Sequence, residues 1–170
     1  MADENNLGGD AANGADGAGP AVALQNVYVK DLSFEAPQGP FVPAQAQDPR
    51  MGLNMNTSSN PLGPDVHEVI LTVTLEAKNG EIPVYLAEVK QAGVFVVRGF
   101  SADDTRRVLG AFAPNVLFPY VRQTVSDLIT KGGFPAFYLP PVNFDSLYER
   151  SLAERSAQQA GTAPAPAQVN

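Results

Sequence analysis

Acid–base chemistry in this chain has one place to occur, the run Asp65-Val66-His67-Glu68, where a histidine stands between carboxylates. A general base needs a partner within hydrogen-bond reach. Residues 66–77 alternate as a strand, however, so His67 shares parity with Leu71 and Val73 while Glu68 points the other way. The imidazole and its nearest carboxylate are therefore expected on opposite faces. With a single histidine and zero cysteines, the chain has neither the usual zinc ligand set nor a thiolate nucleophile. No Gly-x-x-x-x-Gly-Lys-Ser/Thr loop occurs to hold a nucleotide. These absences predict a protein that is not an enzyme and carries no cofactor.

The unusual chemistry lies instead in an apolar loop. After Gly132-Gly133, the segment Phe134–Phe144 holds Phe134, Phe137, Tyr138, Leu139, Val142 and Phe144 among three prolines, and no charge appears until Asp145. Connecting segments usually run over the surface in water. A loop this greasy is either a lid on the core or a binding surface.

The elements that must position it follow from periodicity. Val69, Leu71, Val73, Leu75 and Ala77 alternate with Glu68, Thr72, Thr74 and Glu76, and Tyr85, Ala87 and Val89 with Glu88 and Lys90. Two strands joined at Asn79-Gly80 follow. A two-residue loop would place apolar positions opposite charged ones. The parity therefore predicts an odd loop, Asn79-Gly80-Glu81, with Leu75 facing Tyr85, Val73 facing Ala87 and Thr72 facing Glu88. Ile70, Val84, Leu86, Val94 and Val96 make the second face partly apolar too, which predicts that a second subunit covers it. Ala23–Phe34 reads as a third strand and about Gly52–Ser58 as a weaker fourth, with an irregular Pro-rich connection from Ala36 to Pro49.

Ser101 is placed to cap a long helix, with Asp103 and Asp104 suited to its dipole. Its apolar stripe runs through Val108, Leu109, Phe112, Val116, Tyr120, Val121, Leu128 and Ile129. Pro114 and Pro119 predict a kink or break within it. A last helix starts after Asn143 or Asp145 and is expected to bury Leu147, Tyr148 and Leu152. Strands followed by helices predict an α+β fold: a four-stranded antiparallel sheet with a long Pro-kinked helix and a C-terminal helix on one face.

Composition bounds the function. At 170 residues and 44% hydrophobic, one domain plus tails is expected. Residues 1–20 carry Asp3, Glu4, Asp10 and Asp16 with no base and read as a disordered acidic Ala/Gly-rich extension, residues 21–156 as the folded domain, and 157–170 as a disordered Ala/Pro-rich tail. No apolar run is long enough to span a membrane, and the start lacks a signal pattern. A net charge of −7 disfavours nucleic acid and leaves room for a basic partner.

Three blocks carry a resemblance: VYVKDLSFEAP at Val27–Pro37, AFAPNVLFPY at Ala111–Tyr120, and GFP at Gly133–Pro135 continuing to PVNFD at Pro141–Asp145. In this order they resemble the SecB protein-export chaperones over roughly residues 22–153. The resemblance implies a cytoplasmic homotetramer, a dimer of dimers, that binds unfolded precursor proteins without ATP and delivers them to the SecA motor. By the same resemblance Asp31, Glu35, Leu86 and Glu88 match positions linked to SecA docking. The loop residues Phe134, Phe137, Tyr138, Leu139, Val142 and Phe144, with Leu53 and Met55 on the strand at about Gly52–Ser58, are similar to the client groove. Departures are the long N-terminal extension, the loose match over 38–60, the missing cysteines, and His67 where the family usually has an aromatic. Two rival functions stay open: a general or toxin-controlling SecB-like chaperone that does not dock SecA, and a small-molecule-binding or hydrolytic domain with the loop as its lid.

Overall fold

A computed structural model describes residues 19–40 and 49–161. Four strands form one antiparallel sheet in the order β1-β4-β3-β2: β1 (Ala21–Glu35), β2 (Arg50–Gly63), β3 (Val66–Asn79) and β4 (Ile82–Arg98). Helix α1 (Ala102–Arg107), a π-helical turn (Val108–Phe112) and α2 (Ala113–Lys131) follow as one continuous body, and α3 (Phe144–Gly161) closes the described chain. That last helix runs beyond the boundary expected at residue 156. The acidic stretch 1–18, residues 41–48 of the Pro-rich connection and residues 162–170 lie outside the described residues.

The inner face of the sheet holds the core. Val69, Leu71, Val73, Leu75, Ala87, Val89 and Phe95 are fully buried beneath Leu117, Val121, Val125 and Ile129 of α2. Gly93 sets the closeness of that packing. A Cβ there would meet Leu117 Cδ2 at 2.8 Å and the Phe95 ring at 2.9 Å, so only glycine lets α2 lie this near to β4.

The β3–β4 hairpin departs from the parity argument. Asn79 pairs with Ile82 across the two residues Gly80-Glu81, and Gly80 takes φ +60°. A register shift next to Pro83 leaves Val84 as an extra residue, and that bulge restores the parity that the tight turn upsets. Partners share a face as expected, but the register moves by two: Leu75 faces Ala87, Val73 faces Val89 and Thr72 faces Lys90. Pro83 suits a bulge because it has no amide hydrogen to give the ladder.

Ser101 caps α1 as expected, its hydroxyl accepting from the Asp104 amide at 3.1 Å. The irregularity anticipated at the prolines is the π turn before Pro114, where the Ala113 amide donates to the Val108 carbonyl. Helix α2 continues through Pro119 without breaking. The wider turn also shifts the helical phase. Phe112 and Tyr120, placed on the core stripe by a single 3.6-residue period, are consequently about half exposed at 50% and 48%, and Leu117, Phe118 and Val125 fill the core. In α3, Asn143 Oδ1 accepts from the Ser146 amide at 3.0 Å as an N-cap. Leu147 and Leu152, expected to be buried, are exposed, and Tyr148 is half-buried.

Candidate functional site

On the outer sheet face, two shifts in the β1–β4 register, one between Leu24 and Asn26 and one between Val29 and Asp31, change which side chains share a face. After the second, Asp31 lies opposite Lys90, Ser33 opposite Glu88 and Glu35 opposite Leu86. Asp31, Glu35, Leu86 and Glu88 therefore share the sheet face away from the helices. Leu86 is half-buried and lies between Glu35 of β1 and Glu76 of β3.

The patch contains its own cation. Lys90 Nζ donates to Asp31 Oδ2 at 2.8 Å and lies 3.3 Å from Glu88 Oε1. Thr74 Oγ1 donates to Glu88 Oε2 at 3.2 Å. The Lys90 ammonium holds the Asp31 carboxyl below its ordinary range, and Asp31, then Glu88, raise the Lys90 ammonium in return. Glu76 is held by Lys78 at 2.7 Å. Glu35 makes no ion pair among the described residues and is open to solvent. Lys90 shares parity with Glu88, so alternation alone could have placed it here.

Further along the same face the expected separation of His67 from Glu68 stands. His67 pairs with Phe95 on the inner side and is half-buried. Glu68 is not a solvated carboxylate, however. It is buried and accepts from Lys30 Nζ at 2.7 and 2.8 Å, from Asn60 Nδ2 at 3.1 Å and from the Tyr28 hydroxyl. Lys30, then Tyr28 and Asn60, lower its pKa to about 2. One carboxylate thus ties β1, β2 and β3 together across Ala92 and Val94 of β4. Ile70, Ala92 and Val96 are buried within the single chain, so their cover does not require the second subunit expected from the sequence.

The aromatic loop is divided between core and surface. Phe134 packs at a tilt against Phe34 and Tyr85, with centroids 6.1 and 4.9 Å away, and Phe144 meets Phe118 at 5.7 Å. With Leu139 these two are buried in the chain's own core. Phe137 and Val142 are half-buried, and Tyr138 is 63% exposed with the Arg122 guanidinium 6.0 Å over its ring. Leu53 is exposed on β2. Met55, half-buried, lines a cavity of about 460 Å³ between β2, the π turn and α3, floored by Leu109 and Phe144 and walled by Leu147, Tyr148 and Leu152. Gly110 admits the Tyr148 ring, which a Cβ would approach within 2.5 Å. Sequence reasoning missed this cavity because it treated the α3 leucines as core.

Comparison with known proteins decides the family. Residues 15–155 match the family described as preprotein translocase subunit SecB. The chain is 47% identical over 165 residues to the protein-export protein SecB of Ectopseudomonas mendocina, covering 97% of this chain and 99% of the relative. The chain belongs to the SecB family. The SecB of Stutzerimonas stutzeri is 45% identical over 167 residues, covering 98% and 99% of the two chains. Among solved structures, a Mycobacterium tuberculosis SecB-like chaperone in complex with a ChAD peptide from the HigA1 antitoxin superposes with a TM-score of 0.60 at 18% identity, covering 71% of this chain and 90% of that one. That likeness shows the fold. SecB chaperones are non-enzymatic protein-export factors, and the family implies binding of precursor proteins and of SecA. Among the described residues no helix is long and apolar enough to cross a membrane.

Proposed function

We propose that this SecB-family chain works as an ATP-independent cytoplasmic holdase. It binds unfolded precursors along the apolar surface formed by Leu53, Met55, Phe137, Tyr138, Val142 and the cavity under α3. It presents them to SecA through Asp31, Glu35, Leu86 and Glu88. The observation that carries this reading is the separation of the two surfaces. The strand register gathers an acid-ringed leucine on one side of the sheet, while the exposed apolar groups of the loop and α3 lie on the helical side. Client and motor then do not compete for the same side chains.

The energetics suit a protein that must release what it holds. One fully buried aromatic contributes roughly 2 kcal/mol, so a few anchors in one groove give only modest affinity after association costs. Several grooves on one assembly gripping one long chain raise it by effective concentration. A dimer of dimers is supported by two uncovered apolar surfaces: the β1 edge with Leu24, Val29 and Leu32, and the helical side with Phe112 and Tyr120, all exposed in the single chain. Unpaired strand edges favour joining to another strand.

The test is to mix the purified protein with an unfolded, slow-folding secretory precursor in the absence of ATP and weigh the product by mass-resolved chromatography. A complex of one precursor with a tetramer is the expected result. A precursor that folds or aggregates as though alone would end the chaperone reading for this chain.

A further inference from the structure

The placement of Asp31 and Glu35 depends on one inserted residue. Val29 lies opposite Gln91 and Asp31 opposite Lys90, so Lys30 has no counterpart on β4. Such a bulge re-aims the side chains that follow it. Counted on from Val29 without the insertion, Asp31 and Glu35 would turn toward the helices and Leu32 and Phe34 away from them. A slip of one residue moves every later side chain to the other face. In the single chain β1 is an edge strand, with β4 alone to hold its register.

Side chains grip the insertion from both faces. On the inner face the buried Gln91 amide donates to the Tyr28 carbonyl at 2.9 Å, just before the bulge. On the outer face Lys30 itself donates to both oxygens of Glu68, at 2.8 and 2.7 Å. The Tyr28 hydroxyl donates to the same carboxylate, and Asn60 Nδ2 of β2 does so at 3.1 Å. Glu68 stands on β3, beyond β4, so the bulge is tied to the middle of the sheet as well as to its neighbour. We infer that Glu68 is a positioning residue for the docking surface: by gripping Lys30 and Tyr28 it fixes the bulge that presents Asp31 and Glu35. The inference rests on the docking role proposed above and names what sets the geometry of that surface.

The sign of the charge separates this role from a plain electrostatic one. Removing the Lys30 ammonium makes the outer face more negative, which by charge alone favours a basic partner. Lys30→Met should nevertheless weaken SecA binding, about three- to tenfold, because the bulge it leaves is no longer anchored to Glu68.

Calorimetric titration of SecA into the full-length protein tests this with Lys30→Met, Lys30→Arg and, as the reference for the docking surface, Glu88→Lys. The methionine variant should lose affinity while precursor binding and the mass of the assembly stay unchanged. Its Asp31 carboxyl should titrate at a higher pH by carbon-detected NMR, since Lys90, which holds that carboxyl low, is no longer kept opposite it. Lys30→Arg keeps the charged donor and should restore both readings. Equal or tighter SecA binding by Lys30→Met, with Glu88→Lys still weakened, overturns the inference and leaves the docking role standing. Binding unaltered by either variant overturns both together. Weaker SecA binding with an unmoved Asp31 titration would mean that Lys30 touches the motor directly, and a joint loss of precursor binding or assembly mass would mean a general structural role; either result overturns the inference.

Discussion

The two faces of this sheet are built from alternate residues of the same strands, yet they solve different problems. On the inner face Val69, Leu71, Val73 and Leu75 meet Ala87, Val89 and Phe95 and are sealed by α2. On the outer face Glu68, Thr72, Thr74 and Glu76 alternate with them along β3, and what those side chains do changes along the strand. Near the start of β3, the Glu68 carboxylate, bound by Tyr28, Lys30 and Asn60, locks three strands. Near its end, Glu35 and Glu76 flank a half-buried leucine, Leu86, that no helix covers, with Glu88 next along the same face. The lesson is that polarity alone does not mark a partner surface. The informative difference is whether the carboxylates are committed to the chain's own donors or left partly open.

The inner face should dominate stability. Replacing Phe95 with alanine removes a fully buried ring and should cost about 3–5 kcal/mol, read from the urea midpoint at one fixed protein concentration. Replacing Glu68 with glutamine should cost less, about 1–3 kcal/mol, because it removes charge-assisted bonds from a buried site while keeping its shape. The sign with pH follows from the pKa. Folding depresses the Glu68 carboxyl from an ordinary 4.5 to about 2, so its contribution is present above about 4.5 and is lost as pH falls toward 2. Acid titration of the Glu68→Gln variant should therefore lack that part of the stability loss. An unchanged acid profile would show that the network does not hold the outer face.

Much of this architecture is legible in the sequence because alternation in β3 and β4 is nearly unbroken, and the caps at Ser101 and Asn143 use side chains whose chemistry is local. What alternation cannot show is an inserted residue. The two irregularities in β1 put Asn26 and Tyr28 on the outer face between them and return the odd positions, Asp31 and Glu35 among them, to it afterwards, and the Val84 bulge reconciles a tight turn with matched faces. Neither is announced by a glycine. The π turn likewise hides in Val108–Phe112 and sends Phe112 and Tyr120 outward. Family resemblance, and no pattern within β1 itself, marks Asp31, Glu35, Leu86 and Glu88 as a set. The aromatic loop shows the opposite limit: its composition announced something unusual, but composition could not say that Phe134, Leu139 and Phe144 turn inward while Tyr138 turns out.

The outer face can be probed without disturbing the inner one. Glu88→Lys reverses a half-buried charge beside Leu86 and places a second cation next to Lys90. Binding to SecA should weaken about tenfold, while the urea midpoint and precursor binding stay close to those of the unmodified protein. Unchanged SecA binding would favour a chaperone that does not use this face for the motor.

The smallest effect expected is also the sharpest test of commitment as the distinguishing property. Lys90 now neutralises Asp31 and part of Glu88, so it occupies the place that a basic partner would take. Lys90→Gln keeps a polar side chain, one atom shorter, but removes the charge that neutralises both carboxylates. If open carboxylates are what a partner reads, the variant should bind SecA about two- to fivefold tighter at low salt, with the gain disappearing at 0.5 M NaCl as screening shortens the field. The freed Asp31 carboxyl should also titrate at a higher pH than in the unmodified protein, since the Lys90 hydrogen bond is the largest cause of its depression, and carbon-detected NMR of the side chain reads that directly. A normal Asp31 shift with unaltered or weaker SecA binding would mean that Lys90 takes part in the contact itself, and the acid-ringed leucine would then be a mixed-charge surface recognised as a whole.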